Sequence, residues 1–240
     1  MKESYSSEGH QNLWTIEKAT NLTNWMYSEI KPHLYGNILE IGSGIGTYSQ
    51  HLIHDFKDNK IVLSDIDRKY VSMLKERFRG YQSVSSLIID ISDRASLKQI
   101  EYPINSVFAL NVLEHIENDI AALKNIYEIL DRKGKFIMLV PAHKLLFNCI
   151  DSAIGHYRRY SVQDIKLKVS KTKFHISKIS YFNFLGIFGW YTNGNILKRK
   201  SLDTNAIGFY NQIIPLAKVF EKHLLLNKIG LSIITVLEKG

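Results

Sequence analysis

An α/β fold built around a mainly parallel sheet is predicted by three features of this 240-residue chain. Short apolar runs rich in β-branched residues alternate with amphipathic stretches, the pattern of repeated strand-helix-strand units. One strand signal runs directly into a glycine-rich turn at residues 37–49 and on into a helix signal. The hydrophobic fraction is 45%, enough for one well-filled core at this length, and no repeat or low-complexity linker divides the chain. A single domain over residues 1–240 is therefore expected.

Residues 1–35 read as an N-terminal helical segment, with Leu13–Ile30 as its clearest pattern. Strands are expected at Asn37–Ile41, Lys60–Ser64, Ser86–Asp90, Ser106–Leu110 and Gly134–Val140. Helical patterns separate them, including Arg68–Phe78, for which Asp67 is the natural N-cap. The sharpest helix is Asp119–Leu130, where Ile120, Leu123, Ile126, Ile129 and Leu130 fall on one face before an Arg-Lys-Gly stop. Two late strands, Phe174–Phe182 and Leu231–Glu238, are separated by about fifty residues, which exceeds an ordinary crossover. An insertion spanning about residues 181–228 is expected there.

Charge is unevenly placed. Lys and Arg number 31 against 23 Asp and Glu, for +8 overall. Residues 1–150 carry 17 basic and 18 acidic side chains, whereas residues 151–240 carry 14 and 5, or +9. With Cys149 as the one cysteine, an internal disulfide and a cysteine-based zinc site are both excluded, which fits a reducing compartment. No metal ligand is assigned. The first residues lack the apolar run of a signal peptide. Ile179–Leu197 is uncharged and about long enough to span a bilayer, but its three Asn and three Gly argue against a span. A cytoplasmic location is expected, with contact at the inner face of the membrane as an option.

The turn at Glu40-Ile-Gly42-Ser-Gly44-Ile-Gly46 places three residues without a Cβ between strand and helix, where backbone N–H groups can approach a nucleotide or nucleoside. A nicotinamide fingerprint would need its third glycine at Thr47, and a phosphate-binding loop would need a lysine that is absent. The Glu40-x-Gly42-x-Gly44-x-Gly46 pattern resembles the first motif of class I S-adenosylmethionine-dependent methyltransferases. Three later segments resemble that family in order. Asp65 ends the second strand where the family binds ribose hydroxyls, with Ile66 beside it. Asp90 ends the third strand where the family accepts from the adenine amine, with Ile91 packing on the ring. Asn111 follows the fourth strand beside the cofactor's methionine. The resemblance covers residues 36–140 and implies a Rossmann-like seven-stranded sheet of order 3-2-1-4-5-7-6. It further implies an antiparallel seventh strand, helices on both faces, and S-adenosylmethionine as cofactor with S-adenosylhomocysteine as product.

Residues 141–240 would form the acceptor side. Gly155-His156-Tyr157-Arg158-Arg159-Tyr160 is similar to a segment after the fifth strand in a bacterial subgroup described as type 12 or uncharacterised methyltransferases. Tyr157, Arg158, Arg159, Tyr160 and Trp190 are the expected acceptor contacts, since guanidinium groups pair with carboxylate or phosphate through two parallel hydrogen bonds. The alternative is that these arginines pair with acids of the chain itself. His115 and His156 are the candidate general bases. In the insertion, Phe184, Phe188, Trp190 and Tyr191 lie next to Lys198-Arg199-Lys200, a combination suited to an apolar acceptor or an anionic membrane surface. The expected activity is methyl transfer to an anionic small-molecule or lipid- or glycan-linked acceptor. Alternatives are a nucleic-acid methyltransferase or binder using the basic C-terminal half, an NAD-dependent dehydrogenase, and an inactive cofactor-binding scaffold. Against nucleic acid, Asn111 is followed by Val-Leu-Glu, unlike the Asn-Pro-Pro-Tyr type of base-amino methyltransferases.

Overall fold

The computed structural model describes residues 6–221, 223 and 227–240. Residues 1–5 of the expected N-terminal segment, and 222 and 224–226 of the expected insertion, lie outside the described residues. Seven strands form one sheet: β1 (Ile38–Ile41), β2 (Ile61–Asp65), β3 (Val84–Ile88), β4 (Ile104–Leu110), β5 (Leu130–Pro141), β6 (Phe174–Phe182) and β7 (Ser232–Lys239). Their order is β3-β2-β1-β4-β5-β7-β6. The five β1–β5 strands pair in parallel, and β7 runs antiparallel to both β5 and β6. This is the expected sheet.

Side chains alternate across β1, and the alternation divides the core in two. Leu39 and Ile41 join one apolar cluster with residues of α5 (Asp119–Ile129) and α7 (Val162–Val169). Ile38 joins a second cluster with α2 (Thr20–Ile30) and part of α9 (Thr204–Phe220). Helices thus cover both faces, as near-continuous apolar parallel strands require. The remaining elements are α1 (Ser7–Lys18), α3 (Ser49–Asp55), α4 (Arg68–Arg77), α6 (Cys149–Ala153) and α8 (Gly186–Tyr191). As expected, α8 and α9 lie in the insertion between β6 and β7, joined by a π-helical turn at Thr192–Ile196.

Among the boundaries that differ from expectation, three show what overrides the local pattern. The single pattern Leu13–Ile30 is two helices, broken at Ala19, which leaves helical geometry at φ −84 and ψ 66 and is 1% exposed in the second cluster. The start of α2 is then held from elsewhere: Asn211 of α9 accepts the N–H groups of Asn21 and Leu22 through its Oδ1 at 2.8 and 3.1 Å, satisfying donors that a helix start leaves open. Strand β3 is displaced toward the N-terminus because pairing with β2 runs from Val84 to Ile88, so Asp90 lies beyond the strand rather than ending it. Strand β5 starts at Leu130, directly after α5, with a register shift against β4 between Ile104 and Ser106.

Candidate active site

The carboxyl ends of β1, β4 and β5 open into one cavity of about 660 Å³, lined there by Ile41, Leu110 and Pro141, the usual ligand position in a sheet of this kind. It continues beneath the insertion, where Leu185, Phe188, Trp190, Ile207, Phe209 and Tyr210 form its wall. Glu40, Gly42 and Asn111 line its sheet end. Asn111 is exposed at φ 54, a left-handed conformation that Asn tolerates at the strand end.

In the turn after β1, Gly42, Gly44 and Gly46 have φ of 71, 53 and 88. A Cβ on Gly42 would stand 2.5 Å from Val112 Cγ2, so this glycine lets the turn pack against the segment after β4. Glu40 is 2% exposed, and its Oε2 accepts from the Ser49 hydroxyl at 2.6 Å. Burial pushes its carboxyl up to about 7, against hydrogen bonds from Ser49 and Ser43 that favour the charge. A buried carboxylate on a cavity wall with this balance suits a cationic ligand group such as an ammonium.

The residues expected around the adenosine lie apart from that cavity wall. Asp65 does end β2, but it is 1% exposed, and its two oxygens accept the N–H groups of Gly44 and Asp67 at 2.9 Å each. Burial raises its carboxyl to about 6, opposed by those N–H groups. Above the turn lies α1: Leu13 is the side chain that a Cβ on Gly44 would meet, and His10 hydrogen-bonds the Tyr70 hydroxyl. Ile66 is 50% exposed at the surface, whereas Ile91 is 3% exposed within the core. Asp90 Oδ1 is engaged by the N–H and hydroxyl of Ser92 at 2.8 and 2.6 Å. Asp67 caps α4 by accepting from the Lys69 N–H.

On the acceptor side, the two adjacent arginines do not converge on an outside anion; each is paired within the chain. Arg159 is 2% exposed; its Nε donates to both oxygens of Asp151 at 2.9 and 3.0 Å, and Nη1 donates to the Ala142 carbonyl. Arg158 pairs with Asp119 at 3.1 Å and donates to the Glu117 carbonyl. Tyr160, 2% exposed, donates its hydroxyl to Asp119 at 2.8 Å, and Lys168 reaches the same carboxylate. Tyr157 is 47% exposed outside the cavity wall. Of the expected acceptor contacts, Arg159 and Trp190 line the cavity, with the guanidinium 4.5 Å from the indole ring centre.

His115 and His156 do meet at the cavity, with ring centres 4.6 Å apart. His156 Nδ1 lies 2.8 Å from Asp151 Oδ1, and its Nε2 lies 3.7 Å from Glu114 Oε1. Burial and the neighbouring His156 push His115 down to about 4, against a hydrogen bond with the Gly155 backbone. Burial also opposes the Asp151 charge, but the His156 hydrogen bond and Arg159 together hold its carboxyl below the usual range. Glu114 is the residue sequence reasoning passed over. It is fully buried with neither carboxylate oxygen hydrogen-bonded, and burial raises it to about 7 against the pull of His156 and Arg159. Its place beside His115 was visible in the sequence; its isolation from water was not.

Residues 39–136 match the family described as a methyltransferase domain. A curated relative, malonyl-[acyl-carrier protein] O-methyltransferase 1 of Ilyobacter polytropus, is 26% identical over 133 residues, 55% of this chain. The chain spans 48% of that relative's length. Among solved structures, geranyl diphosphate C-methyltransferase from Streptomyces coelicolor, in complex with Mg²⁺, geranyl diphosphate and S-adenosylhomocysteine, superposes with a TM-score of 0.66 at 9% identity. That match covers 95% of this chain and 84% of the other. The [4+2]-cyclase SpnF superposes at 0.57 with 16% identity, covering 89% and 79%. The fold is that of class I methyltransferases, and SpnF illustrates that such a fold alone does not fix the reaction.

Proposed function

We propose that this chain, whose residues 39–136 match the family described as a methyltransferase domain, is an S-adenosylmethionine-dependent methyltransferase acting on an apolar, lipid- or carrier-linked acceptor with an anionic group. The observation that carries the reading is the continuity of one cavity from the glycine turn and Glu40 to the aromatic wall of α8 and α9. Support for the anionic group comes from the names of two similar proteins, a malonyl-carrier O-methyltransferase and a geranyl diphosphate C-methyltransferase.

S-adenosylmethionine supplies an activated methyl group for in-line displacement, so the protein's task is chiefly positioning. Glu40 would pair with the ammonium of its methionine end, and Asn111 would border the same end. Gly42, Gly44 and Gly46 keep side chains out of the turn, while Asp65 holds it to β2 through the Gly44 N–H. With Ile66 and Asp90 beyond the ends of β2 and β3 and Leu13 of α1 over Gly44, the adenosine end would enter beside α1, which would have to shift to admit it. The apolar wall would receive the acceptor's hydrocarbon part. His115 and His156, which meet at the cavity, would be candidates to take the acceptor's proton. Among the described residues no helix is long and apolar enough to cross a membrane. Contact with a lipid surface would instead use residues exposed in the insertion, the apolar Phe188, Phe209 and Leu216 and the basic Lys198 and Lys200.

Thermal unfolding with S-adenosylhomocysteine, S-adenosylmethionine and NAD tests the cofactor assignment, because a ligand of the folded state raises the midpoint by mass action. The first two should raise it and NAD should not; Asp65→Ala should remove the shift. Stabilisation by NAD alone refutes the reading. A labelled-methyl assay on a fractionated lysate should place the label in the lipid or carrier-linked fraction, and label confined to nucleic acid would replace this acceptor class.

A further inference from the structure

Glu114, His115 and His156 each offer one ligand atom, and these atoms lie within 4.8 Å of one another. Two of the three, His115 and His156, line the cavity. Glu114 stands behind them on the short 3-10 turn Leu113–His115, fully buried with both carboxylate oxygens lacking a hydrogen-bond partner. Leaving a carboxylate in that condition is costly, and a hydrogen bond or a cation is the usual remedy.

We propose that Glu114, His115 and His156 bind a divalent transition-metal ion. Two imidazoles and one carboxylate with an open side form a donor set suited to iron(II), zinc or manganese rather than magnesium or calcium, which prefer oxygen. His156 is oriented for it. Its Nδ1 lies 2.8 Å from Asp151 Oδ1, and Asp151 is itself fixed by Arg159 Nε and by the Asn148 N–H at 3.0 Å. With Nδ1–H donated to that carboxylate, Nε2 carries the lone pair and is directed at Glu114 Oε1, 3.7 Å away. That separation is too long for a hydrogen bond. It is near that of two ligands on one ion, since bonds of about 2.0–2.2 Å set neighbouring ligands about 3–3.5 Å apart. A carboxylate behind a ligating imidazole is also the usual outer support of a metal site. His115 needs to give one nitrogen, and the Gly155 backbone hydrogen-bonds its ring.

The segments are tied for this purpose by backbone: the Tyr157 N–H donates to the Glu114 carbonyl at 2.8 Å, and the His156 N–H to the Asp151 carbonyl at 2.9 Å. The ion's open side would face the cavity, where it would take an acceptor oxygen and lower its pKa, replacing the two imidazoles as bases because their lone pairs are then given to the ion. That role rests on the methyl-transfer reading; the binding does not.

The test is equilibrium dialysis of the chelator-stripped full-length chain against Zn²⁺ and, separately, Co²⁺, with elemental analysis and visible absorption. One ion per chain is expected, with cobalt bands indicating nitrogen and oxygen ligation at low coordination number. Glu114→Gln preserves shape while removing a buried charge, and His156→Asn removes the oriented nitrogen; both should lose the ion. Asp151→Asn should weaken it about 10–100-fold. His54→Ala, at a surface imidazole 88% exposed, should bind as the parent does. Circular dichroism and the S-adenosylhomocysteine shift, measured without metal, confirm that each variant is folded and keep this test separate from that of the cofactor. Absence of a bound ion in the parent, or unchanged affinity in folded Glu114→Gln, overturns the proposal.

Discussion

The turn after β1 and the loop after β5 border the same cavity but are held by different forces. The first is held by backbone: the Gly44 N–H donates to Asp65, the Ser43 N–H to the Ser64 carbonyl, and the Gly46 N–H to the Ser43 carbonyl. The second adds buried side-chain charge to its backbone bonds, through Asp151 with Arg159 and His156, and Asp119 with Arg158 and Lys168. The difference shows where the surplus charge of residues 151–240 is to be found. Every acid in that stretch has a partner: Asp151, Asp164, Asp203 and Glu238 meet basic side chains, and Glu221 accepts the N–H groups of Asn183 and Phe184. The arginines nearest the cavity are therefore neutralised, and the surplus lies on exposed lysines such as Lys166, Lys171, Lys198 and Lys200.

The contrast is broken most sharply at Arg159. Replacing it with Met leaves the fully buried Asp151 carboxylate with only His156 and the Asn148 N–H as partners, and a loss of about 3–5 kcal/mol in urea unfolding is expected. Replacing Arg159 and Asp151 together by Met and Leu should cost less than Arg159→Met alone. A double variant no more stable than the single would mean that the loop does not depend on this pair.

On the other side, Glu40 tests whether burial dominates the glycine turn. Burial raises its pKa from 4.5 to about 7 in the folded chain. The fold therefore favours the protonated acid: Glu40 contributes stability below about pH 4.5 that disappears as the pH rises through 7. Glu40→Gln carries no charge and escapes this loss. Its unfolding free energy should match the parent's at low pH and exceed it by an amount that grows up to pH 7 and then levels off, on the order of 3 kcal/mol. A difference independent of pH would show that Glu40 is not the titrating group.

The smallest effect on stability is expected at the exposed lysines. Lys198→Ala with Lys200→Ala should change unfolding by less than about 0.5 kcal/mol. The same variant should bind anionic liposomes more weakly than the parent if these lysines meet phosphates. Equal co-sedimentation would remove them from any membrane contact.

The strands, the insertion and the glycine turn were legible because each rests on local signals: apolar β-branched runs, glycines in an unbroken strand-turn-helix, and a long gap before the last strand; the sheet order was implied only by the family resemblance. The break at Ala19 was not, since neither Gly nor Pro marks it and distant packing supplies its caps. The position of Asp90 moved because β3 takes its register from β2, which no local run reveals. At the loop after β5, Arg158 and Arg159 were legible as a cluster, but their partners were not. Asp119 lies about forty residues upstream and reads in sequence only as a helix start. Long-range ion pairs leave no periodicity.

The position of β7 between β5 and β6 bears on how the chain acquires its shape during synthesis. Strand β6 hydrogen-bonds to the sheet only through β7, which is made some fifty residues later. On the ribosome, β1 to β5 can pair as they emerge, while β6, α8 and α9 have no sheet edge to join until β7 arrives. The outer edge of β5 stays open through that interval, and an open edge is where chains aggregate. Slow translation across residues 183–231 would lengthen that exposure.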